Sequence, residues 1–509
     1  MATPEGTKKY ADRFGGSGIS EGGFRIFGKT GFTVSKLGFG GYRIHHDSKV
    51  NRRSLQEALL SGVNLIDTSS NYSDGGSESL IGRVIHRLMD EHKIDRDELV
   101  IVSKAGYVQG KNLSDAKKRE QSGRPFPDMV KYMEGCWHCI HPEFLEDQLN
   151  KSLERLQIEA LEAYLLHNPE YFLADRQSGS ADLEESRDEY YRRIESAFAW
   201  MEEKVASGKI QSYGVSSNTF PIGNNEFEFT SLERLLEIAQ TVSSHHHFHV
   251  IQFPFNLLEK GACSVFNQQG DEKSDGERTL VEAARDNNIA TLVNRPLNAM
   301  AGNIMVRFAS FRETDREHIV RDFPGRLDML VRLEKEFEDQ LLGLMPREIP
   351  NESFIQAFSA GQQLGKALEH FQTRENWEHV KYNVVLPQVQ YFTAHISNSI
   401  GSNEQWNNWS EKYVHALMRF IDTVSRHYDN LAAERSKTIC TYLDESEEYL
   451  TKVKTLSQKS LHLLSSVPGI HCVLVGMRRP EYVRDALAIL QEQTIRNAET
   501  MLRKINIQV

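Results

Sequence analysis

The sequence predicts a (β/α)8 TIM barrel of the α/β class that carries an inserted all-helical subdomain. Short apolar, β-prone segments alternate with helix-like stretches, as expected for parallel strands joined by crossover helices. Several of these segments end on a polar residue, and barrel active sites occupy the C-terminal ends of the strands. The chain has 509 residues, about twice the ~250 of one barrel, so a long insertion or a second domain is expected.

Eight strands are predicted from the apolar segments. They are 37–41, 64–67, 99–103, 163–167, 212–216, 250–253, 291–294 and 471–476. Before the first of them, residues 24–36 are predicted to form a hairpin that plugs the barrel floor, with its turn at 29–31. The first 23 residues have no apolar signal core and are expected to be a loose tail.

The gap of about 175 residues between the seventh and eighth strands is far too long for one crossover helix. Its apolar residues recur in steps of three and four, which predicts amphipathic helices that bury one face in a bundle. The longest stripe comprises Trp406, Trp409, Tyr413, Leu417, Phe420, Val424, Tyr428 and Leu431. Two others comprise Leu327, Leu330, Phe337, Leu341 and Leu344, and Phe354, Phe358, Leu364, Leu368 and Phe371.

These patterns divide the chain into four parts. Residues 1–23 form the tail, 24–308 the first seven strands of the barrel, and 309–455 the helical insertion. Residues 456–509 supply the last barrel helix, the eighth strand and a C-terminal helix. The insertion is expected to wall the substrate pocket or to make a homodimer contact, the alternative being a remote domain that folds alone.

Composition limits the partners and the compartment. The net charge of −11 and the lack of a dominant basic tract argue against nucleic acid as a partner. No apolar run reaches the ~20 residues of a membrane span, so no membrane association is expected. Five cysteines in so long a chain favour reduced thiols and a cytoplasmic location.

Four polar residues at or just after strand ends suggest carbonyl chemistry: Asp67, Tyr72, Lys104 and His167. A tyrosine has a reference pKa near ~10, and a nearby ammonium lowers it. Lys104 can supply this charge, Asp67 can hold the ammonium in place, and His167 can orient a carbonyl oxygen. Tyr72 then serves as general acid or base, and only a cofactor can bring the hydride that such a reaction needs. Taken singly, Asp67 or Lys104 could equally satisfy backbone groups or form an ion pair.

A second insertion, residues 108–141, leaves the strand that delivers Lys104 and is predicted to form a lid or a pocket wall. It contains Cys136, His138, Cys139 and His141, which are potential metal ligands. A structural zinc site usually takes two separated ligand pairs, and no second cysteine pair follows. No metal site is therefore predicted, and Trp137 and His138 are expected to line the pocket.

Several motifs resemble those of the aldo-keto reductase family. LIDTSSNYSDGGSESLIG resembles the family signature, and LGFGGYRI its first strand with Gly41 and Tyr42. KSLERLQIEALEAYLLHNPE resembles the segment that leads to the catalytic histidine, and GKIQSYGVSSNTF the fifth-strand segment. The match covers roughly residues 24–308 and 456–490. The resemblance implies a barrel that binds NADPH, less often NADH, and reduces aldehydes, ketones or sugars or oxidises the matching alcohols.

The resemblance also implies a set of cofactor-binding residues: Gly41, Tyr42, Ser216, Ser217, Asn218, Gln252, Arg295, Gly476, Arg478 and Arg479. A Ser-Asn pair and Gln252 would hold the nicotinamide carboxamide, but the extra serine leaves open which two of residues 216–218 do so. The aromatic ring that usually stacks on nicotinamide is replaced by Asn294. Arg295 could bind pyrophosphate, and two arginines after the last strand favour NADP over NAD. Tyr482, Asp485 and Ala486 depart from the family's usual contacts to the 2′-phosphate and adenine.

The expected function is hydride transfer between NADP(H) and a small carbonyl or sugar substrate. The alternative is a binding or regulatory protein that senses cofactor on the same barrel, like the channel β-subunits that resemble this family. The complete set of four site residues favours catalysis, whereas the altered nicotinamide and adenine positions favour the alternative.

Overall fold

A computed structural model describes residues 1–15, 18–269, 276–302, 304–314, 316–368 and 371–507. Eight parallel strands close into a barrel in sequence order, which confirms the predicted fold. The strands are Leu37–Gly40, Leu65–Asp67, Val100–Ala105, Ala163–His167, Tyr213–Ser216, Phe248–Pro254, Ala290–Asn294 and Cys472–Val475. All eight coincide with the predicted segments to within a few residues.

The strands are buried along nearly their whole length, as in a parallel sheet covered by helices on its outer face. The helices between and after the strands are Lys49–Leu59, Gly76–Asp90, Pro142–Leu156, Tyr171–Ser178, Leu183–Ala206, Leu232–Val242, Gly261–Ser264, Leu280–Asp286, Leu456–Ser465 and Pro480–Leu487. The short strands Phe266–Gln268 and Arg278–Thr279 pair antiparallel between the sixth and seventh barrel strands, and Ala498–Lys504 is the C-terminal helix. No helix in the described part of the chain combines the length and apolarity that a membrane crossing requires.

The N-terminal segment is more ordered than the sequence predicted. The expected loose tail instead contains the helix Pro4–Gly15, and Gly16 and Ser17 lie outside the described residues. The Tyr10 hydroxyl lies 2.6 Å from the Leu59 carbonyl oxygen and 2.9 Å from that of Val63, so the helix is held against the barrel. The apolar stripe of this helix was too short to stand out in the sequence.

The predicted hairpin is present at the same end of the barrel. Strands Phe24–Ile26 and Thr33–Ser35 pair antiparallel, and Gly31 occupies the left-handed region with φ of 74°. Phe27, Phe32 and Val34 are buried with strand residues from around the barrel, which closes the floor. The opposite end, where the strands end, is therefore left for a site.

Residues 298–445 form a separate compact unit, called the helical unit below. It begins eleven residues earlier than predicted, with the antiparallel pair Asn298–Ala301 and Ile304–Arg307. Its α-helices are Arg316–Glu336, Asn351–Ala357, Ala360–Ala367, Arg374–Val380, Leu386–Ile400 and Glu404–Ser446, with π-helical turns at Phe337–Leu341 and Lys381–Val385. Its 3-10 turn is Leu342–Leu344. A further 3-10 helix, Glu448–Lys452, lies in the other compact unit, which comprises residues 1–297 and 446–508 and contains the barrel.

The predicted apolar stripes form the core of this unit. Every residue of the longest stripe except Leu431 is buried, on one helix of 43 residues. Leu431 is 43% exposed and Leu344 is 37% exposed, so these two assignments to the core are wrong. The remaining stripe residues are buried or packed against the same cluster.

Candidate active site

The four residues predicted to carry the chemistry lie at one end of the barrel. Asp67 is the last residue of the second strand, His167 is the last of the fourth, and Lys104 is the penultimate residue of the third. The backbone N–H groups of Thr68 and Ser70 donate to the carbonyl oxygens of Val102 and Lys104, at 2.8 and 3.0 Å. These bonds fasten the loop that carries Tyr72 to the third strand, beside the ends of its neighbours.

Asp67 and Lys104 form a buried ion pair. The Lys104 ammonium donates to Asp67 Oδ1, and Gln252 Nε2 donates to the same oxygen at 2.8 Å. Lys104 is fully buried. Burial lowers the pKa of Lys104, while the charge and the hydrogen bond of Asp67 raise it. The carboxylate therefore favours the charged form of this ammonium and contacts it directly, as an Asp67 that holds the ammonium in place would do.

Tyr72 lies next to this pair. The Lys104 Nζ atom is 5.3 Å from the centre of the Tyr72 ring, and the rings of Tyr42 and His167 are 5.2 and 5.8 Å away, both edge-on. The pKa of Tyr72 is raised well above its ordinary value by withdrawal from water and then by the charge of Asp67. The lowered pKa that the sequence predicted from the Lys104 charge is therefore not found. A raised pKa keeps the proton on the phenol but makes it a weaker acid, so its donation would depend on the nearby Lys104 charge to stabilise the phenolate.

His167 is a neutral imidazole. Burial lowers its pKa well below the ordinary value, and the nearby charge of Lys104 adds to the effect. Its Nδ1 atom lies 3.0 Å from Ser69 Oγ, and its backbone carbonyl oxygen lies 2.8 Å from His138 Nε2. The Tyr107 ring stacks edge-on at 4.7 Å, and Asn168 Nδ2 donates to the Tyr107 hydroxyl at 2.8 Å. The imidazole is thus held on several sides.

The loops that surround these residues are locally strained. Ser73 and Asp74, directly after Tyr72, have φ of 52° and 54°. Asn168 follows His167 with φ of 53°, and Arg295 follows the seventh strand with φ of 50°. Left-handed conformations at non-glycine residues cost on the order of 1–3 kcal/mol each and concentrate at functional sites. These four residues lie in the loops that follow the strands, although the same conformation also occurs after helices, as at His92 and Gln157.

The residues predicted to hold the nicotinamide carboxamide come from the fifth and sixth strands. Ser216 pairs with His167 on one side and with Gln252 on the other, and its hydroxyl donates to Gln252 Oε1 at 3.0 Å. The Ser217 hydroxyl is instead bonded to Thr219 and Thr230, at 3.0 and 3.2 Å. The Ser217 hydroxyl is therefore occupied within its own loop, whereas Ser216 contacts Gln252, the other residue predicted to hold the carboxamide.

Glu170 supports this segment, although no pattern in the sequence pointed to it. Its Oε1 atom accepts the backbone N–H of Asn218 at 2.8 Å, while its buried Oε2 atom has no hydrogen-bond partner among the described residues. Burial raises the pKa of Glu170 to about 7. The carboxyl group thus fixes the backbone next to the predicted carboxamide site.

Two orphaned polar atoms at the end of the seventh strand fit a polar ligand. Asn294 Oδ1 and Arg295 Nε are buried and have no hydrogen-bond partner among the described residues. Another nitrogen of Arg295, Nη2, donates to Glu259 at 2.8 Å, so one edge of the guanidinium is fixed and another is unsatisfied. Gly41 packs closely against the barrel, because a Cβ there would come within 2.7 Å of Ser77 Oγ and 2.8 Å of the Asp67 carbonyl oxygen. These features fit a nucleotide cofactor.

The residues after the eighth strand lie where an anion could bind. Gly476 and Arg479 are exposed, Arg478 is partly exposed, and Arg479 is the N-cap residue of the helix Pro480–Leu487. Asp485 is engaged elsewhere, because it accepts from Thr455, Ser457 and Gln458. This network ties it to the preceding barrel helix and explains how an aspartate fits where the family usually has an adenine contact.

The 108–141 segment contributes to a small antiparallel sheet of Tyr107–Val108, Cys136–His138 and Val130–Met133, and helix Gly110–Gln121 follows the first of these strands along the chain. Its potential metal ligands point to different partners. Cys136 accepts from Gln109 Nε2, Cys139 contacts the Pro127 carbonyl oxygen, and His141 caps the next helix. His138 is buried behind His167, and Trp137 packs under Lys117 and Lys131. The expectation that Trp137 and His138 line the pocket is not supported by these contacts.

Comparisons with known proteins point in the same direction. A sequence profile described as "Aldo/keto reductase family" matches residues 36–334. The chain is 22% identical over 278 residues to the NADH-specific methylglyoxal reductase of Escherichia coli (strain K12), covering 53% of this chain and 66% of that protein. It is 24% identical over 195 residues to the NADPH-dependent D-xylose reductase of Meyerozyma guilliermondii, covering 37% and 50%.

A third relative is a putative voltage-gated potassium channel subunit beta of Schizosaccharomyces pombe. The identity is 27% over 151 residues, which is 29% of this chain and 37% of that protein. The chain thus spans between 37% and 66% of the length of these three relatives.

Proposed function

We propose that this chain, which belongs to the aldo/keto reductase family, is an NADP(H)-dependent oxidoreductase that interconverts a small carbonyl compound and its alcohol. The observation that supports this most directly is the convergence of Asp67, Tyr72, Lys104 and His167 at the strand ends. The cofactor, when bound, supplies or accepts the hydride. Aldehydes, ketones and sugars are the proposed substrates.

In the proposed reduction, Tyr72 gives its proton to the carbonyl oxygen. Its raised pKa keeps the phenol protonated until the substrate is in place. The buried Lys104 ammonium then stabilises the phenolate that forms, because opposite charges interact strongly away from water. Asp67 holds that ammonium, and Gln252 holds Asp67. His167 lies against Tyr72 and positions the substrate oxygen.

The proposed cofactor contacts divide between its two ends. Ser216, Asn218 and Gln252 would hold the carboxamide, and Gly41 and Tyr42 would line the entry to the nicotinamide. Arg295 would bind pyrophosphate with its unsatisfied edge, and Gly476, Arg478 and Arg479 would bind the 2′-phosphate. Two arginines support NADPH over NADH, although the relatives include one of each preference.

A cofactor-sensing regulatory role is the second candidate. The relative named as a putative channel subunit and the absence of a stacking ring at Asn294 favour it. The two candidates differ in turnover, because a sensor that retains its cofactor oxidises at most one cofactor molecule per chain.

The test is consumption of NADPH and of NADH over a panel of aldehydes, ketones and sugars, with cofactor binding measured by fluorescence in parallel. The matched control is Tyr449→Phe, since this tyrosine is 48% exposed and lies outside the site. Many turnovers per chain with at least one substrate are expected. Tight cofactor binding without multiple turnover on any class would favour the regulatory role instead.

A further inference from the structure

Three neighbouring side chains on the loop after the first barrel strand bring metal-ligating atoms close together. They belong to His45, His46 and Asp47, and one ligand atom from each lies within 4.8 Å of the other two. Within the described part of the chain, this is the one group of three or more histidine, cysteine, aspartate or glutamate side chains with that spacing. None of the three belongs to the candidate active site described above.

The spacing of these atoms fits one small cation. Asp47 Oδ2 lies 3.1 Å from His46 Nε2 and 3.8 Å from His45 Nδ1. Two ligands bound at about 2.0–2.2 Å to a tetrahedral zinc ion lie about 3.4 Å apart. The two separations fall on either side of that value, so small rotations of the side chains would bring all three atoms onto one ion.

The backbone that carries these side chains is held by three hydrogen bonds. The His45 N–H donates to Asn51 Oδ1 at 3.1 Å, and the Ser48 N–H donates to the His45 carbonyl oxygen at 3.0 Å. Arg83 Nη2 donates to the His46 carbonyl oxygen at 2.5 Å. Because the loop is already ordered, an ion that binds here has to order little more than the three side chains.

The two imidazole rings are restrained as well, while their ligand atoms stay accessible. The rings of His45 and His46 stack with their centres 4.3 Å apart and their planes at 30°. A Cβ on Gly76 would come within 2.9 Å of His46 Nδ1, so this ring packs on the start of helix Gly76–Asp90 and presents Nε2 to Asp47. All three side chains are exposed, so an ion can reach them and keep water as a further ligand.

The types of ligand indicate which cation would bind. Imidazole nitrogen suits zinc and its neighbours in the first transition row, and a carboxylate can complete a zinc site. Magnesium and calcium prefer oxygen ligands throughout. We propose that His45, His46 and Asp47 form a binding site for Zn²⁺, with water in the fourth position. The proposal does not rest on the oxidoreductase function proposed above.

The site adjoins two segments of the candidate active site. The Ser73 hydroxyl, next to the proposed proton donor, donates to the Ile44 carbonyl oxygen at 2.7 Å. Asn51, which holds the backbone of the zinc-binding loop, donates from Nδ2 to the Arg478 carbonyl oxygen at 2.8 Å. A bound ion would therefore restrain a loop that contacts both of these segments.

The test is a titration of the full chain with Zn²⁺ in competition with a chromophoric chelator. A run of histidines at 245–249 can bind the ion adventitiously, so His245→Ala and His246→Ala are present in the parent protein and in every variant. His86→Ala is the matched control, because His86 lies outside the loop and its Nε2 contacts the Gln157 carbonyl oxygen. The ligand variants are His45→Ala, His46→Ala and Asp47→Asn.

The parent and the His86→Ala control should bind one Zn²⁺ per chain at this site. Each ligand variant should bind it at least ~10-fold more weakly, since even the second-shell partners of metal ligands are worth about 10–100-fold in affinity. Saturating Zn²⁺ should also slow hydrogen exchange in peptides that cover residues 42–48, in the parent but not in the ligand variants. Absence of Zn²⁺ binding by the parent, or an unchanged affinity in any of the three ligand variants, would overturn the proposal.

Discussion

Removing the carboxylate of the buried Asp67–Lys104 pair should destabilise the barrel far more than removing the whole pair. In Asp67→Asn the fully buried Lys104 ammonium loses its counter-charge. Breaking one side of a buried pair costs about 3–5 kcal/mol, since the remaining charge is left uncompensated in a medium of low polarity. Replacing both partners, as in Asp67→Asn combined with Lys104→Met, leaves no charge, and the apolar side chain fills the same space.

The Asp67→Asn deficit should also depend on pH. Burial lowers the pKa of Lys104 below its value in the unfolded chain, and Asp67 opposes that shift. Between the folded and unfolded pKa values the unfolded chain binds more protons, so stability rises with pH across this interval. Without Asp67 the folded pKa falls further and the interval widens. The deficit should therefore shrink as the pH is raised towards ~10, near the reference pKa of lysine.

The assay is hydrogen exchange in increasing urea, followed on peptides from the third barrel strand, so that the barrel is measured separately from the helical unit. The control is Lys9→Met, which removes the exposed Lys9–Asp95 pair and should leave barrel stability unchanged. If the double variant is as unstable as Asp67→Asn, or if the deficit does not change with pH, the charge-burial explanation is refuted.

The cofactor phosphate contacts, the helical unit and the N-terminal helix can each be tested by a separate change. Arg478→Ala or Arg479→Ala should weaken NADPH binding by about 1.5–3 kcal/mol, the value of one charged hydrogen bond, and leave NADH binding unchanged. Titration of each variant with both cofactors measures this, and equal losses of affinity for NADPH and NADH would place the 2′-phosphate elsewhere. Replacing residues 298–445 with a short Gly/Ser linker should leave a folded barrel that binds NADPH. The turnover rate on a substrate or the oligomeric state should change. If neither changes, the helical unit is neither a pocket wall nor a dimer contact. Tyr10→Phe should lower the free energy of unfolding by about 1–3 kcal/mol, because the buried carbonyl oxygens of Leu59 and Val63 lose the one hydroxyl proton that they share. Unchanged urea denaturation would show that the N-terminal helix contributes little.

The barrel could be predicted from the sequence because each strand is a short, uninterrupted apolar segment and each interval suits one helix. The long aromatic stripe was equally informative, since seven of its eight apolar residues, spaced with a period near 3.6, lie on one buried face of a long helix. The N-terminal helix was missed because it contributes mainly Tyr10 and a few small residues to the core. The start of the helical unit was misplaced because the pair 298–301 and 304–307 carries no helical periodicity.

The candidate site could be predicted only in part. Asp67, Lys104 and His167 stand out because they end apolar segments, and the family resemblance reinforces them. The directions of hydrogen bonds do not appear in a sequence. Ser69 is one of several serines in its loop, and only the structure shows that its hydroxyl contacts His167 while that of Ser70 has no hydrogen-bond partner among the described residues. The raised pKa of Tyr72 likewise depends on burial that the loop sequence does not reveal.

The most direct test of proton donation by Tyr72 is the rate of hydride transfer in Tyr72→Phe. It should be measured in a single turnover, with cofactor affinity determined on the same samples and Tyr449→Phe as the control. The rate constant should fall by roughly 10²–10⁴-fold, the usual contribution of a general acid, while the Kd for NADPH stays unchanged. A rate constant near that of the wild type would contradict the account, because another group would then have to supply the proton.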